Sequence, residues 1–261
     1  MYIGVDGCKA GWFLVSLDDK DEFKIDILSD IHTLWDTYSG SSSILIDIPI
    51  GLPGEDITNR KCDLEARKIL RPKKGPCVFP APCRPAVYAN DYRKANNLNR
   101  KIIGKGLSYQ VWNIIPKIRE TDVLVTGDSN ARKVIRESHP EICFRSMAGK
   151  VMTYSKKTAG GIRERLKILK SVYSKSEEIF NYALEKYKRK YLSRDDILDA
   201  ISLAVTAKEG VWYLISIPHD PQFDLKGIQM EIVYSKWRNI SYHVQKFFYY
   251  WLSRKWKNHH F

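Results

Sequence analysis

Two aspartates, Asp6 and Asp47, each follow an apolar run that is typical of a buried β-strand. A carboxylate at such a position is costly unless it is paired or binds a metal ion, and its oxygens suit a hard divalent cation. A structural alternative exists for both residues. Asp6 precedes Gly7, and an Asp-Gly pair between apolar runs is also a hairpin signal, while Asp47 could cap the loop that follows it. The sequence therefore predicts either a metal site or two turn residues.

Further carboxylates lie in segment 194–208, whose pattern predicts the clearest helix of the chain. Asp196 and Asp199 are three residues apart, so on a helix they share one face and can reach a common ion. Asp195 points elsewhere and is expected to cap the helix. Acids in a first helical turn also interact favourably with the helix dipole. That alternative explains Asp199 poorly, because Asp199 lies deeper among small and apolar residues.

Glu137 and His139 form a weaker candidate pair. Glu137 alternates with Ile135 along an expected strand, so it either faces the cleft or pairs with an Arg or Lys. His139 could act as a general acid or proton shuttle, but it precedes Pro140 and is equally typical of a turn. Both roles stay open for each residue.

Three or four carboxylates around one strand end suit a phosphoryl-transfer site that holds two Mg²⁺ or Mn²⁺ ions. Glycosidases also use two carboxylates, but a sugar cleft normally accompanies them rather than a basic surface. Lys and Arg number 43 against 30 Asp and Glu, which gives a formal net charge of +13. This excess favours a polyanionic partner such as nucleic acid, although solubility alone can explain a moderate excess.

The elements that must position these residues indicate an α/β fold with a mixed sheet flanked by helices. Strands are expected at 2–6, 11–17, 23–28, 44–48, near 133–138 and at 228–234. Helices are expected at 30–38, near 59–70, 86–97 and 107–119, and at 162–172, 176–190 and 194–208. Asp30 is the expected N-cap of the first helix. Segment 54–131 is predicted to be a helical insertion within one domain of residues 1–235. Residues 236–261 are predicted to form a basic, aromatic C-terminal tail.

Several functional classes are disfavoured by composition. No apolar run approaches the ~20 residues of a membrane-spanning helix, so a soluble, cytoplasmic protein is expected. The five cysteines lack the paired spacing of a zinc site and are expected to be reduced structural thiols. The aromatic and basic residues of the tail could stack on unpaired bases, lie on an anionic membrane, or pack onto the domain.

The order of motifs along the chain resembles the family known as domain of unknown function 429, described as predicted ribonuclease H-like nucleases. The motifs that carry the resemblance are residues 4–12, 46–53, 60–67, 78–82, 107–112, 116–120, 137–141, 155–159 and 195–200.

This resemblance implies a ribonuclease H-like five-stranded sheet with metal-binding acids on the first strand, the fourth strand and a late helix. Asp6, Asp47 and the pair Asp196 and Asp199 fall on those elements. The expected function is a Mg²⁺- or Mn²⁺-dependent nuclease. The alternatives are a nucleic-acid-binding module without catalysis and a sugar-kinase-like phosphotransferase, for which 261 residues without a visible repeat look too short.

Overall fold

A mixed five-stranded sheet forms the centre of the protein in the computed structural model, which describes residues 1–210 and 213–237. The chain starts with an antiparallel meander of β1 (Tyr2–Cys8), β2 (Gly11–Leu17) and β3 (Phe23–Leu28). Strand β4 (Ser43–Ile46) then pairs in parallel with β1, and β5 (Ile135–Glu137) pairs in parallel with β4. The strand order is β3-β2-β1-β4-β5, which confirms the predicted mixed sheet.

Strand β1 is central, and its side chains alternate between two hydrophobic cores. Ile3 and Val5 belong to the first core, which also contains α1 (Ile31–Tyr38) and helices of segment 54–131. Gly4 and Asp6 therefore point to the opposite face, where Cys8 joins the second core. As predicted, Asp30 caps α1 by accepting a hydrogen bond from the Thr33 amide at 2.8 Å.

Segment 54–131 contains the helices expected near 59–70 and 107–119, although the second extends to Gly127. Its helices are α2 (Lys61–Ile69), α3 (Arg84–Val87), α4 (Tyr92–Ile103) and α5 (Tyr109–Gly127). The single helix expected at 86–97 is wrong, because α3 ends at Val87 and a separate helix starts at Tyr92. Asp91 adopts an extended conformation and caps α4 by accepting from the Lys94 amide at 2.8 Å.

The second core lies under helices from the later part of the chain. These are α7 (Pro140–Ala148), α8 (Ala159–Val172), α9 (Ser176–Lys186) and α10 (Arg194–Gly210), and they follow α6 (Ser129–Val134). Helix α10 is buried along most of its length and packs against β1. The strand expected near 133–138 starts only at Ile135, because Asp128 caps α6 through the amides of Asn130 and Ala131.

A two-stranded ribbon of β6 (Leu214–Phe223) and β7 (Gln229–Ser235) completes the described chain. Strand β7 matches the expectation for 228–234, whereas β6 was not expected. The ribbon joins the end of β5 through a parallel bridge between Ser138 and Val233. Most of the predicted tail, residues 238–261, lies outside the described residues.

Over residues 1–210 and 213–237, none of the helices combines the length and apolar character needed to cross a membrane.

Candidate metal centre

Three of the sequence-predicted aspartates converge at one end of the sheet. Asp6, Asp47 and Asp199 each offer a carboxylate oxygen, and the three oxygens lie within 4.8 Å of one another. Asp6 belongs to β1, Asp47 follows β4 directly, and Asp199 lies in α10. The Asp47 amide donates to the Val5 carbonyl at 3.1 Å, so the parallel pairing continues one residue beyond β4. This bond places Asp47 beside Asp6.

Gly4 allows α10 to bring Asp199 to the same point. A Cβ atom at Gly4 would lie 2.1 Å from the Ala200 carbonyl oxygen and 2.2 Å from the Ala204 amide nitrogen. Only a residue without a side chain permits such a close approach of helix and strand. Gly4 and Asp6 point to the same face of β1, so the close contact at Gly4 sets the distance between Asp6 and Asp199.

Burial and neighbouring negative charges disfavour the ionised forms of Asp6 and Asp199. Burial raises the pKa of Asp6 well above its usual range, and the charges of Asp47 and Asp199 raise it further. Burial also raises the pKa of Asp199 to about 6, against the opposing effect of Lys156. Asp199 is only 1% exposed, so solvent does little to relieve this repulsion. A divalent cation would relieve it, and an all-oxygen set of ligands is the type that Mg²⁺ and Mn²⁺ prefer.

Lys156 reaches the same carboxylates from the loop between α7 and α8. Its ammonium nitrogen lies 2.5 Å from Oδ2 of Asp199, and its side chain is 36% exposed. The charges of Asp199, and then of Asp6 and Asp47, raise the pKa of Lys156, so it stays cationic. In the sequence, this residue stands out only as one of two adjacent lysines, Lys156 and Lys157. The motif at 155–159 contains it, but nothing local indicates that the loop turns back to the sheet.

Glu141 and Arg165 form a buried ion pair whose carboxylate charge acts on Asp199. Arg165 Nη2 donates to Oε1 of Glu141, and Arg165 is fully buried. Glu141 Oε2 is buried without a hydrogen-bond partner among the described residues. The negative charge of Glu141 contributes to the raised pKa of Asp199. Glu141 is therefore a further carboxylate whose charge acts on the centre, and it was not predicted as a site residue.

Lys117 of α5 flanks the centre at the β1–β2 turn. Its ammonium group donates to the Gly11 carbonyl at 2.6 Å and lies 4.4 Å from the centroid of the Trp12 ring. A Cβ at Gly7 would lie 2.7 Å from Cδ of Lys117, so the lysine stem crosses the backbone directly after Asp6. Burial lowers the pKa of Lys117.

The family model for "Protein of unknown function (DUF429)" matches residues 4–222. The chain belongs to this family. No curated protein and no solved structure shows significant similarity to it. The match to the DUF429 model includes Asp6, Asp47, Lys156 and Asp199, so the whole candidate centre lies within the family's common region.

Asp196 of this DUF429 protein lies near the centre but outside the group of three. Its Oδ2 accepts a hydrogen bond from the Ser193 amide at 3.0 Å, so it helps to cap α10. Its charge still contributes to the raised pKa of Asp6. The expectation that Asp195 caps the helix is wrong, because Asp195 accepts from the Ser193 hydroxyl instead of a backbone amide.

Neither Glu137 nor His139 belongs to the group formed by the three aspartates. Glu137 pairs with the buried Arg60 and accepts from the Ile50 amide at 2.7 Å, and burial raises its pKa to about 8. Of the two roles left open for Glu137, the structure shows pairing with an arginine. His139 caps α7, because its Nδ1 accepts from the Glu141 amide at 3.2 Å. Both side chains are thus engaged in structural contacts.

Proposed function

We propose that this protein is a cytoplasmic, divalent-cation-dependent nuclease with a ribonuclease H-like fold. Asp6, Asp47 and Asp199 would hold Mg²⁺ or Mn²⁺, with Asp196 at the edge of the site. The chemistry supplied by such a cation would be activation of a water for attack on a phosphodiester and stabilisation of the charge on the leaving oxygen. The residues supply the fixed geometry, and β1 and α10 are both rigid elements that suit this task.

The convergence of three carboxylates within 4.8 Å carries this proposal. The acids come from the first strand, the end of the fourth strand and a late helix, which are the elements that the ribonuclease H-like resemblance implies. The order β3-β2-β1-β4-β5, with an antiparallel meander followed by parallel pairing, also supports that relationship. Fold likeness alone does not establish an activity, so the carboxylates are the main support.

Cationic side chains near the carboxylates support an anionic substrate. Lys156 contacts Asp199, and Lys117 interacts with the charge of Asp6. Lys74 donates to the Tyr154 carbonyl in the loop that carries Lys156. The formal net charge of +13 adds a long-range attraction for polyanions. Nucleic acid combines a negative backbone with a phosphodiester bond and therefore fits both features.

The proposal is tested by incubating the purified protein with labelled single-stranded, duplex and branched DNA and RNA, with Mn²⁺, Mg²⁺ or EDTA. Cleavage is expected with either cation and not with EDTA. Asp6→Asn and Asp199→Asn are expected to reduce cleavage by at least about 100-fold, the scale of losing a main charge-stabilising group. Asp36→Asn is the matched control, because Asp36 is an exposed residue of α1 and should leave cleavage unchanged.

Other outcomes point to the alternatives. Tight binding of nucleic acid without cleavage under any cation would indicate a non-catalytic binding module. A rise in melting temperature with ATP, without nucleic-acid cleavage, would indicate a phosphotransferase. Wild-type cleavage by Asp6→Asn would show that the three aspartates are not the reactive centre.

A further inference from the structure

We infer that the centre takes one divalent cation, and that the ammonium group of Lys156 serves where two-ion nucleases use a second cation. This inference rests on the proposed function and makes it more specific. Its basis is the position and charge of Lys156 among the carboxylates, together with the buried pair of Glu141 and Arg165.

The balance of charges favours a single divalent ion. Three carboxylates form the centre, namely Asp6, Asp47 and Asp199, and the ammonium group of Lys156 contacts Asp199. Glu141 and Arg165 pair with each other, so their charges cancel. Two negative charges remain, which equal the charge of one Mg²⁺ or Mn²⁺. At the periphery, Asp196 and Lys117 carry opposite charges and leave this balance unchanged. A second divalent ion would give the buried site a net positive charge, which is unfavourable in a low dielectric.

The geometry places the lysine ammonium where it competes with a second ion. Its contact with Asp199 occupies a carboxylate that is only 1% exposed, and the same ammonium interacts with the charges of Asp6 and Asp47. A second cation bound to Asp199 would have to displace Lys156. The loop that carries Lys156 is held by several bonds, because Glu164 accepts from the amides of Thr153 and Tyr154 at 2.9–3.0 Å.

Lys156 is also accessible to a substrate, unlike the neighbouring Arg165. The side chain of Lys156 is 36% exposed, whereas that of Arg165 is 0% exposed. In hydrolysis, a water oxygen bonds to phosphorus and the bond from phosphorus to the leaving oxygen breaks. One water proton stays on the new phosphate or passes to solvent, and the leaving alcohol gains one proton. A compact ammonium group beside these atoms would neutralise the charge that develops on the leaving oxygen.

The test measures the number of bound Mn²⁺ ions and their affinity by isothermal titration calorimetry, separately from nucleic-acid cleavage. The variants are Lys156→Gln, which removes the charge, Lys156→Arg, which keeps it, and Lys157→Gln, an exposed neighbour that serves as the control. Wild-type protein is expected to bind one ion. Lys156→Gln should bind Mn²⁺ at least about tenfold more tightly, or bind a second ion, because a repelling charge is removed and Asp199 is released.

Cleavage should change in the opposite direction. Lys156→Gln is expected to cleave at least about 100-fold more slowly than wild type at saturating Mn²⁺. Tighter Mn²⁺ binding together with slower cleavage is a combination that loss of a purely structural residue would not produce. Lys156→Arg should keep one ion and near wild-type affinity, which provides a charge-retaining variant if Lys156→Gln folds poorly. Lys157→Gln should match wild type in both measurements.

Two ions bound by the wild-type protein would overturn this inference and leave the proposed function intact. Unchanged Mn²⁺ affinity and unchanged cleavage in Lys156→Gln would overturn it in the same way. Absence of both Mn²⁺ binding and cleavage in the wild-type protein would overturn the proposed function together with the inference.

Discussion

The contact between Gly4 and α10 gives a sharp prediction for the substitution Gly4→Ala. The new methyl carbon would lie 2.1 Å from the Ala200 carbonyl oxygen and 2.2 Å from the Ala204 amide nitrogen. Ordinary contact of a Cβ atom begins near 3.4 Å, so α10 must move away from β1 by roughly 1.3 Å. Both obstacles are backbone atoms, and no rotation of a side chain can relieve the clash.

This displacement should reduce both stability and metal binding. Overpacking of a core costs about 1–3 kcal/mol, and the upper part of that range applies because a whole helix must shift. About 3 kcal/mol corresponds to a loss of about 6–12 °C in melting temperature for a domain of this size. Asp199 lies next to Ala200, so it should move away from Asp6 with the helix, and Mn²⁺ should bind at least about tenfold more weakly.

Thermal melts by circular dichroism, with EDTA and with Mn²⁺, measure both effects on one sample. The matched control is Gly127→Ala at the end of α5, where a Cβ would meet nothing within 4 Å. Alanine is favoured over glycine in helices, so this variant should be unchanged or stabilised by up to about 1 kcal/mol. A melting temperature for Gly4→Ala within about 2 °C of wild type, with a normal Mn²⁺-induced shift, would refute the packing of α10 on β1 described above.

Two further predictions concern the buried acids. The pKa of Asp199 is about 6 against an ordinary 3.8, so the folded state binds this proton more tightly than the unfolded state does, and metal-free stability should fall as pH rises from about 4 to 6. This pKa difference corresponds to a loss of about 3 kcal/mol in the free energy of unfolding, at ~1.36 kcal/mol per pKa unit. Urea titrations of wild type and Asp199→Asn at several pH values should show the loss only in wild type. A stability difference between the two proteins that does not vary with pH would contradict this prediction. Glu137→Gln should lower the free energy of unfolding by about 2–3 kcal/mol, less than the ~3–5 kcal/mol for a fully broken buried pair, because Gln can still accept from the Ile50 amide. Mn²⁺ affinity should stay within about threefold of wild type in calorimetry, and a larger loss would place Glu137 in the metal centre.

The predictable parts of the centre are those encoded by local patterns. Asp6 and Asp47 follow apolar strand runs, and Asp199 sits among small residues on a helix with a clear period, so each could be assigned to its element from the sequence. Parallel pairing of β1 with β4 then brings the first two together. The sequence indicated that Asp199 lies deeper in the helix than Asp196, but it could not show that the Ser193 amide binds Asp196 while Lys156 binds Asp199.

The missed parts depend on contacts between distant residues. Lys156 enters the centre from a loop, and Glu141 is tied to Arg165, which lies 24 residues later in the sequence. Strand β6 was missed for a different reason. It contains Pro218 and Pro221, which normally argue against a strand, but both fall within the register shift between Ile217 and Gln222, where regular pairing is interrupted.

The helical insertion supports the centre through a hydrogen bond from Lys74 to the backbone of Tyr154. The Tyr154 carbonyl accepts from Lys74 of the insertion at 3.0 Å and from Arg165 of α8 at 3.3 Å. Tyr154 lies two residues before Lys156, so these bonds fix the loop that delivers the lysine to Asp199. The acids are therefore positioned by the sheet and α10, whereas the lysine is positioned by the insertion and α8. Lys74 belongs to neither β1 nor α10, so a change at Lys74 can alter how Lys156 meets a substrate while the aspartates keep their places.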